Sequence, residues 1–241
     1  MGIFTFQPFA DDEALAAAVA TAWSEALAAA GRAGATHTVA LSGGRVSLRV
    51  FAAMVGLAAQ GRLDASPARF FWADERCVPP TDPDSNYHAA KIHLLDPLGI
   101  APAHIHRIRG EDKPRQAAEA AAAALRQVTG TAGNGMPVAD LILLGMGEDG
   151  HVASLFPGDE AALTDETPLF RPVFDSPKPP PRRVTLGLGP ILAAREVWVV
   201  VAGASKEAAL RDSLAPDGRT PLAHIIRRRG HTRILSTVRA G

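Results

Sequence analysis

Four short apolar runs, each ending at a glycine or charged turn, and the alanine-rich helical stretches between them predict a three-layer α/β/α domain with a mostly parallel, Rossmann-like sheet. The runs cover residues 37–41, 69–73, 141–144 and 197–202. Unbroken aliphatic runs suit strands covered on both faces, and in open α/β sheets the loops at the carboxyl ends of the strands bind ligands. The turns after these runs, at 42–44, 74–76, 145–151 and 203–206, are therefore the candidate site segments.

Composition bounds the reading. With 241 residues, 47% apolar and 21% charged, the chain can bury one large core, so a single domain over residues 1–241 is expected. Lys plus Arg and Asp plus Glu both number 25, a balance that points to neither nucleic acid nor an anionic membrane as partner. The lone Cys77 has no partner for an internal disulfide and fits a reducing compartment. Val78, Pro79 and Pro80 follow it and match no cysteine-enzyme signature, so it reads as an inert thiol. The opening MGIFTFQPFADDE lacks a basic leader and a long apolar core, and Phe6 stands where a myristoylation signal needs Ser or Thr. The most apolar run, 197–204, is too short to cross a bilayer. A cytoplasmic monomer is the expectation.

In chain order, residues 11 to about 30 read as a helix, with Asp11, Asp12 and Glu13 at its positive end and Leu15, Val19, Trp23 and Leu27 on one stripe. Strand 37–41 turns through Ser42, Gly43 and Gly44 into an amphipathic segment at 46–57, an arrangement that offers backbone N–H groups to an anion. Strand 69–73 delivers Asp74, Glu75 and Arg76 at its carboxyl end. Residues 78–87, rich in Pro, Asp and Ser, form a loop whose Ser85-Asn86 end reads as the N-cap of a helix over 87–95. His88 and His93 lie on that helix and His104 and His106 beyond it; none forms a metal-ligand pattern with a second cluster, so no metal is expected. A helix over 114–128 and the loop TAGNGMP lead to strand 141–144. Residues 158–181 read as mostly loop, with Lys178 on its surface. Strands at 184–188, 197–202 and 234–236, and a helix beginning near Lys206, complete the chain.

The turn at 145–151 admits two readings. Gly145, Gly147 and Gly150 satisfy G-x-G-x-x-G after a strand, the dinucleotide fingerprint. That fingerprint wants a long helix straight after the glycines and an acid about twenty residues on. Here Pro157 and Gly158 interrupt, and Asp165 and Glu166 lie in a polar TDET segment. The second reading is a resemblance: GMGEDGHVASLFPG resembles the central motif of the 6-phosphogluconolactonases. LSGG at 41–44, DER at 74–76 with VPPTDPDSNY at 78–87, KPPPRRVTL at 178–186 and GASK at 203–206 follow in that family's order over nearly the whole chain.

The resemblance implies the sugar-phosphate isomerase-like version of the fold, a sugar-phosphate lactone as substrate, and no cofactor. It implies that Ser42, Gly43 and Gly44 help to hold the substrate phosphate, that Asp74 and Arg76 line the site, that Lys206 is a phosphate ligand, and that Arg183, which opens a motif similar to R-I-T-L-T, belongs with the substrate- and phosphate-binding residues. Two departures stand out. The family's SGGSTP reads Ser42-Gly43-Gly44-Arg45-Val46-Ser47 here, so Arg45 either reaches phosphate or faces solvent, and Gly187 and Gly189 replace the usual Thr and Pro.

The residues support the same chemistry. A charged triplet such as Asp74-Glu75-Arg76 is most often a solvated cluster, but at a strand end a guanidinium held by carboxylates matches two phosphate oxygens at once. Lys206 sits at the unfavourable end of a helix dipole, a placement that a bound anion would justify. With no G-x-S-x-G elbow, water is the expected nucleophile and His151 its base, opening 6-phosphoglucono-1,5-lactone to 6-phosphogluconate. Arg76 and Lys206 would hold the phosphate, and either Asp149 or Asp74 would orient His151. Two rivals remain. A glucosamine-6-phosphate deaminase or isomerase shares the DGH turn, but its DGHIAFNEP has a glutamate where Phe156 stands here, and its DEY triplet lacks Arg76. A non-catalytic sugar-phosphate sensor is the other.

Overall fold

The computed structural model describes residues 3–239, beginning with strand β1 (Ile3–Pro8) and helix α1 (Asp12–Arg32). Asp11 caps α1, its carboxylate accepting from the Ala14 N–H at 2.8 Å. The helix is long and apolar enough to cross a bilayer, but Leu15, Val19, Trp23 and Leu27 are buried in the protein core along one stripe. The chain continues through β2 (His37–Leu41), α2 (Arg45–Ala59), β3 (Ala68–Trp72) and a short β4 (Asp74–Arg76). Next come α3 (Asn86–Ala90), which runs on into a wider helical turn over Lys91–Leu95, α4 (Pro114–Val128), and a small hairpin of β5 (Gly130–Thr131) and β6 (Pro137–Val138). After β7 (Leu141–Gly145) follow α5 (Glu160–Thr164), β8 (Phe170–Val173), β9 (Arg183–Leu186) and α6 (Leu188–Ala193). The last elements are β10 (Glu196–Val201), α7 (Glu207–Leu214), α8 (Pro221–Arg228) and β11 (His231–Ser236).

One sheet has six parallel strands in the order β1-β11-β10-β7-β2-β3. The chain runs outward from β2 to β3, then returns past β2 to β7, β10 and β11, so its direction reverses between β2 and β7. Crossovers between parallel strands are right-handed, so the reversal sends the earlier and later helices to opposite faces. Accordingly α1 packs on α2, and α8 packs on α6 and α7. The result is the three-layer, mostly parallel fold that the sequence predicts, and the reversal point is where such a sheet opens a ligand crevice.

Residues 158–181 are mostly loop, as expected, interrupted by the short α5 and β8. Two expectations need correction, those for the strand at 184–188 and for the triplet at 74–76. The strand expected over 184–188 stops at Leu186 and lies outside the parallel sheet: β9 pairs antiparallel with β8 and β4, Asp74 facing Thr185 and Arg76 facing Arg183. The Asp74–Arg76 triplet is thus itself a strand. The glycines at 187 and 189 have a steric reason, because a Cβ on Gly187 would lie 1.9 Å from the Pro168 carbonyl oxygen and one on Gly189 would lie 2.1 Å from that of Glu166. Three elements carried no expectation: β1, a sheet-edge strand ending in Pro8, α6 and α8.

Candidate active site

Four adjacent strands of the parallel sheet, β10, β7, β2 and β3, send their carboxyl-end segments to the wall of one crevice of about 440 Å³. After β2, Ser42, Gly43 and Gly44 line it. Gly44, at φ +104°, caps the 15-residue α2 without a side chain, leaving the first-turn N–H groups for a ligand or water. Gly43 is fixed by a neighbour: a Cβ there would lie 1.9 Å from Asn86 Oδ1. The Ser42 hydroxyl is buried without a hydrogen-bond partner among the described residues, a deficit that a substrate oxygen would relieve. Arg45 borders the crevice at its exposed rim, and Arg49 beside it pairs with Asp12 at 3.5 Å.

The β4 triplet divides its residues between two sides, as strand alternation requires. Glu75 faces away and accepts from the Asn86 and Tyr87 N–H groups, both at 2.8 Å, and from Ser85 Oγ at 3.0 Å, tying down the start of α3. Its burial pushes its pKa up against those bonds. Asp74, facing the crevice, accepts from Ser154 Oγ at 2.7 Å and Asn86 Nδ2 at 3.2 Å. Arg76 donates to the Asp84 carbonyl at 2.9 Å, while its buried Nε has no partner among the described residues.

Arg183 also lines the crevice, but its donors are committed within the protein. They reach the carbonyls of Pro180 (3.0 Å), Lys178 (2.9 Å) and Pro179 (3.2 Å), and Ser154 Oγ (3.3 Å). Asp74 lies 3.9 Å away, and burial lowers the Arg183 pKa. The sequence-based expectation groups Arg183 with the substrate- and phosphate-binding residues; in the structure it lines the crevice and its donors hold the Lys178–Pro180 loop.

The turn after β7 explains its glycines. Gly147 N–H donates to His151 O at 2.8 Å, and a Cβ on Gly147 would lie 1.9 Å from His151 Nδ1, so the imidazole folds back over bare backbone. Gly150 has φ +77°, and Thr220, which caps α8, fills the space beside it. No long helix follows, the next being the five-residue α5, so the dinucleotide reading fails on geometry as well. Asp149 Oδ1 lies 2.5 Å from His151 Nδ1. Of the two carboxylates considered as partners of His151, Asp149 is therefore the one in contact, whereas Asp74 bonds to Ser154 and Asn86.

Contact with an ionised carboxylate places the proton on Nδ1 and leaves a lone pair on Nε2. Burial lowers the His151 pKa below its ordinary 6.5, the Asp149 bond opposes that, and the nearby Lys178 adds to it. The imidazole is thus neutral at neutral pH. Burial works to raise the Asp149 pKa, but its bond to His151 prevails and holds the carboxyl below the ordinary range.

Lys206 lines the crevice in the turn between β10 and α7, its pKa lowered by burial and by the cations Lys178 and Arg45, with Glu148 opposing. Lys178, read from the sequence as a surface residue, also lines the crevice, with Nζ 3.8 Å from Asp149 Oδ1. Its Lys-Pro-Pro context carried no signal of this; Ser176 and Arg183 hold its backbone, and Arg183 is itself anchored across the fold by Ser154 and Asp74. Cys77 agrees with the inert reading, since burial, aided by Glu75, pushes its thiol up to about 11.

The sequence pattern of the family described as glucosamine-6-phosphate isomerases/6-phosphogluconolactonase matches residues 10–234. The chain belongs to that family. Among its members, a 6-phosphogluconolactonase of Streptomyces coelicolor is 39% identical over 212 residues, covering 86% of this chain and 79% of that protein. One of Bos taurus is 40% identical over 192 residues, covering 79% and 73%. A solved 6-phosphogluconolactonase structure from Trypanosoma brucei superposes with a TM-score of 0.86 at 29% identity, covering 98% of this chain and 97% of that one. A monomeric glucosamine-6-phosphate deaminase superposes at 0.78 with 16% identity, a likeness of fold alone.

Proposed function

We propose that this chain hydrolyses 6-phosphoglucono-1,5-lactone to 6-phosphogluconate, a step of the oxidative pentose phosphate pathway, with water as nucleophile and His151 as its base. The observation that carries the reading is the Asp149–His151 pair, set in a crevice with Arg76, Lys178 and Lys206 around it. The relatives named as 6-phosphogluconolactonases support it.

His151 Nε2 takes a proton from water as the water oxygen bonds to C1, and the carbonyl π pair moves onto the exocyclic oxygen. That pair returns as the bond from C1 to the ring oxygen breaks, and the ring oxygen takes the proton from His151. A positioned base of this kind gives about 10² to 10⁴ in rate. Arg76, with an unpartnered Nε, and Lys206 hold the phosphate, aided by Ser42 Oγ and the open N–H groups of α2. Each charge-assisted bond contributes about 1.5 to 3 kcal/mol.

Phe156 separates this reading from the deaminase one. Its ring lies 4.6 Å from the His151 ring, buried in the place where the deaminase motif puts its glutamate, so that proton relay has no acid here. The reading includes a cytoplasmic monomer, which light scattering and fractionation would check. The deciding experiment follows acid release from freshly made lactone, corrected for spontaneous opening. Wild type is expected to accelerate it, and His151→Ala to lose about 10² to 10⁴ in kcat with little change in KM. A wild-type rate no faster than spontaneous opening overturns the reading; binding without turnover would then point to the sugar-phosphate sensor.

A further inference from the structure

We propose that Lys178 is a catalytic residue of this site, its ammonium meeting the negative charge that develops on the lactone carbonyl oxygen as water adds. The inference rests on the lactonase reading above and adds to it the group that answers His151 across the reacting carbon.

Three observations carry it. The first is position: Nζ lies 3.8 Å from Asp149 Oδ1, the atom that also contacts His151 Nδ1 at 2.5 Å, so the ammonium stands beside the base rather than at the far end of the crevice. The second is availability. A separation of 3.8 Å is an ion pair beyond hydrogen-bond reach, and Nζ makes no hydrogen bond among the described residues, so its protons are open to a substrate oxygen. Of the other cations lining the crevice, Arg183 is engaged with backbone carbonyls and Arg49 with Asp12 and Glu13, Arg76 and Lys206 are assigned to the phosphate in the reading above, and Arg45 stands at the exposed rim.

The third is rigidity. Lys178 is held on both sides of its own backbone: its N–H donates to Ser176 Oγ at 3.2 Å, and its carbonyl accepts from Ser176 Oγ at 2.8 Å and Arg183 Nη2 at 2.9 Å. Arg183 then bonds the next two carbonyls as well. A surface lysine needs no such clamp. The clamp fixes the point from which the side chain reaches toward Asp149, and the less a charge must reorganise when the oxyanion forms, the more it lowers the barrier. Lys178 keeps its protons throughout, donating a hydrogen bond to the exocyclic oxygen while the π pair resides there and releasing it when the ring bond breaks.

The test compares wild type with Lys178→Met, which keeps the side-chain length and removes the charge, and with Lys178→Arg. For Lys178→Met, kcat should fall about 10²- to 10³-fold, the scale of losing one oxyanion donor. KM should stay within about threefold of wild type and the thermal midpoint close to it, and Lys178→Arg should restore part of kcat. A kcat loss under about tenfold overturns the proposal, and so does a loss expressed mainly in KM, which would make Lys178 a phosphate ligand. Absence of turnover by the wild type overturns the lactonase reading and this inference with it, whereas normal wild-type turnover matched by Lys178→Met overturns this inference alone.

Discussion

The Asp149–His151 pair and the Asp74–Ser154–Arg183 cluster each set a carboxylate against an ionisable partner at the edge of the same crevice. Asp149 and His151 remain partly accessible, at 33% and 15%, and Nε2 is left with an open lone pair. Asp74 and Arg183 are 6% and 4% accessible, and the guanidinium is engaged by three carbonyls and a hydroxyl. The two pairs therefore differ not in charge type but in unfilled hydrogen-bonding capacity, which is what marks His151 as the proposed base. The two regions meet at Phe156, whose ring packs against His151 on one side and lies 5.6 Å from the Arg183 guanidinium carbon. The filled cluster is the wall against which the unfilled pair is held.

Breaking the wall should have the largest effect. Arg183→Met would leave Asp74 buried without its cation and three carbonyls without their donor, a loss of about 3 to 5 kcal/mol of stability, read as a lower urea midpoint. Stability close to wild type would mean that the two regions do not differ in kind. Next comes Asp149→Asn, which removes the charge that fixes the imidazole tautomer; kcat should fall about 10²-fold or more. The same variant sharpens the comparison through pH. With His151 as the proposed base, catalysis requires its neutral form, so wild-type activity should persist below pH 6.5 and fall as pH drops through the lowered imidazole pKa. Because Asp149 favours the imidazolium, its loss should move that acid limb to still lower pH, and a move upward would contradict the assignment. The smallest effect is expected for Lys206→Ala, with KM raised about tenfold and kcat near wild type, as for one lost charge-assisted bond. A dominant kcat loss there would place Lys206 at the reacting carbon instead.

Much of this was legible in the sequence where local pattern suffices. The aliphatic runs became β2, β3, β7 and β10, and the turns after them became the crevice walls, because a run too short for a helix and ending in glycine has few other folds open to it. Ser85 capped its helix as its position implied, accepting from the His88 N–H at 3.1 Å. The misses were of another sort. β1 alternates half-buried and exposed residues and ends in proline, so it resembles an unstructured lead-in until β11, more than two hundred residues later, pairs with it. Lys178 and Arg183 look alike in a basic, proline-rich stretch and both line the crevice; what sets Arg183 apart is the fold, which brings Ser154 and Asp74 to its guanidinium. The choice between Asp74 and Asp149 was open for the same reason, since it turned on Ser154 and Asn86.

The β4 triplet constrains how such a site could be moved or redesigned. Its three consecutive residues act as an address with a fixed phase: Asp74 and Arg76 serve the crevice, while Glu75 fastens α3 from behind. Because side chains alternate along a strand, sliding this segment by one position would turn Glu75 toward the crevice and leave the first N–H groups of α3 without their acceptor. A single insertion or deletion between Ala73 and Cys77 would thus cost both the pocket and the helix at once, so a graft of this site must carry the triplet, Asn86 and the loop between them as one block.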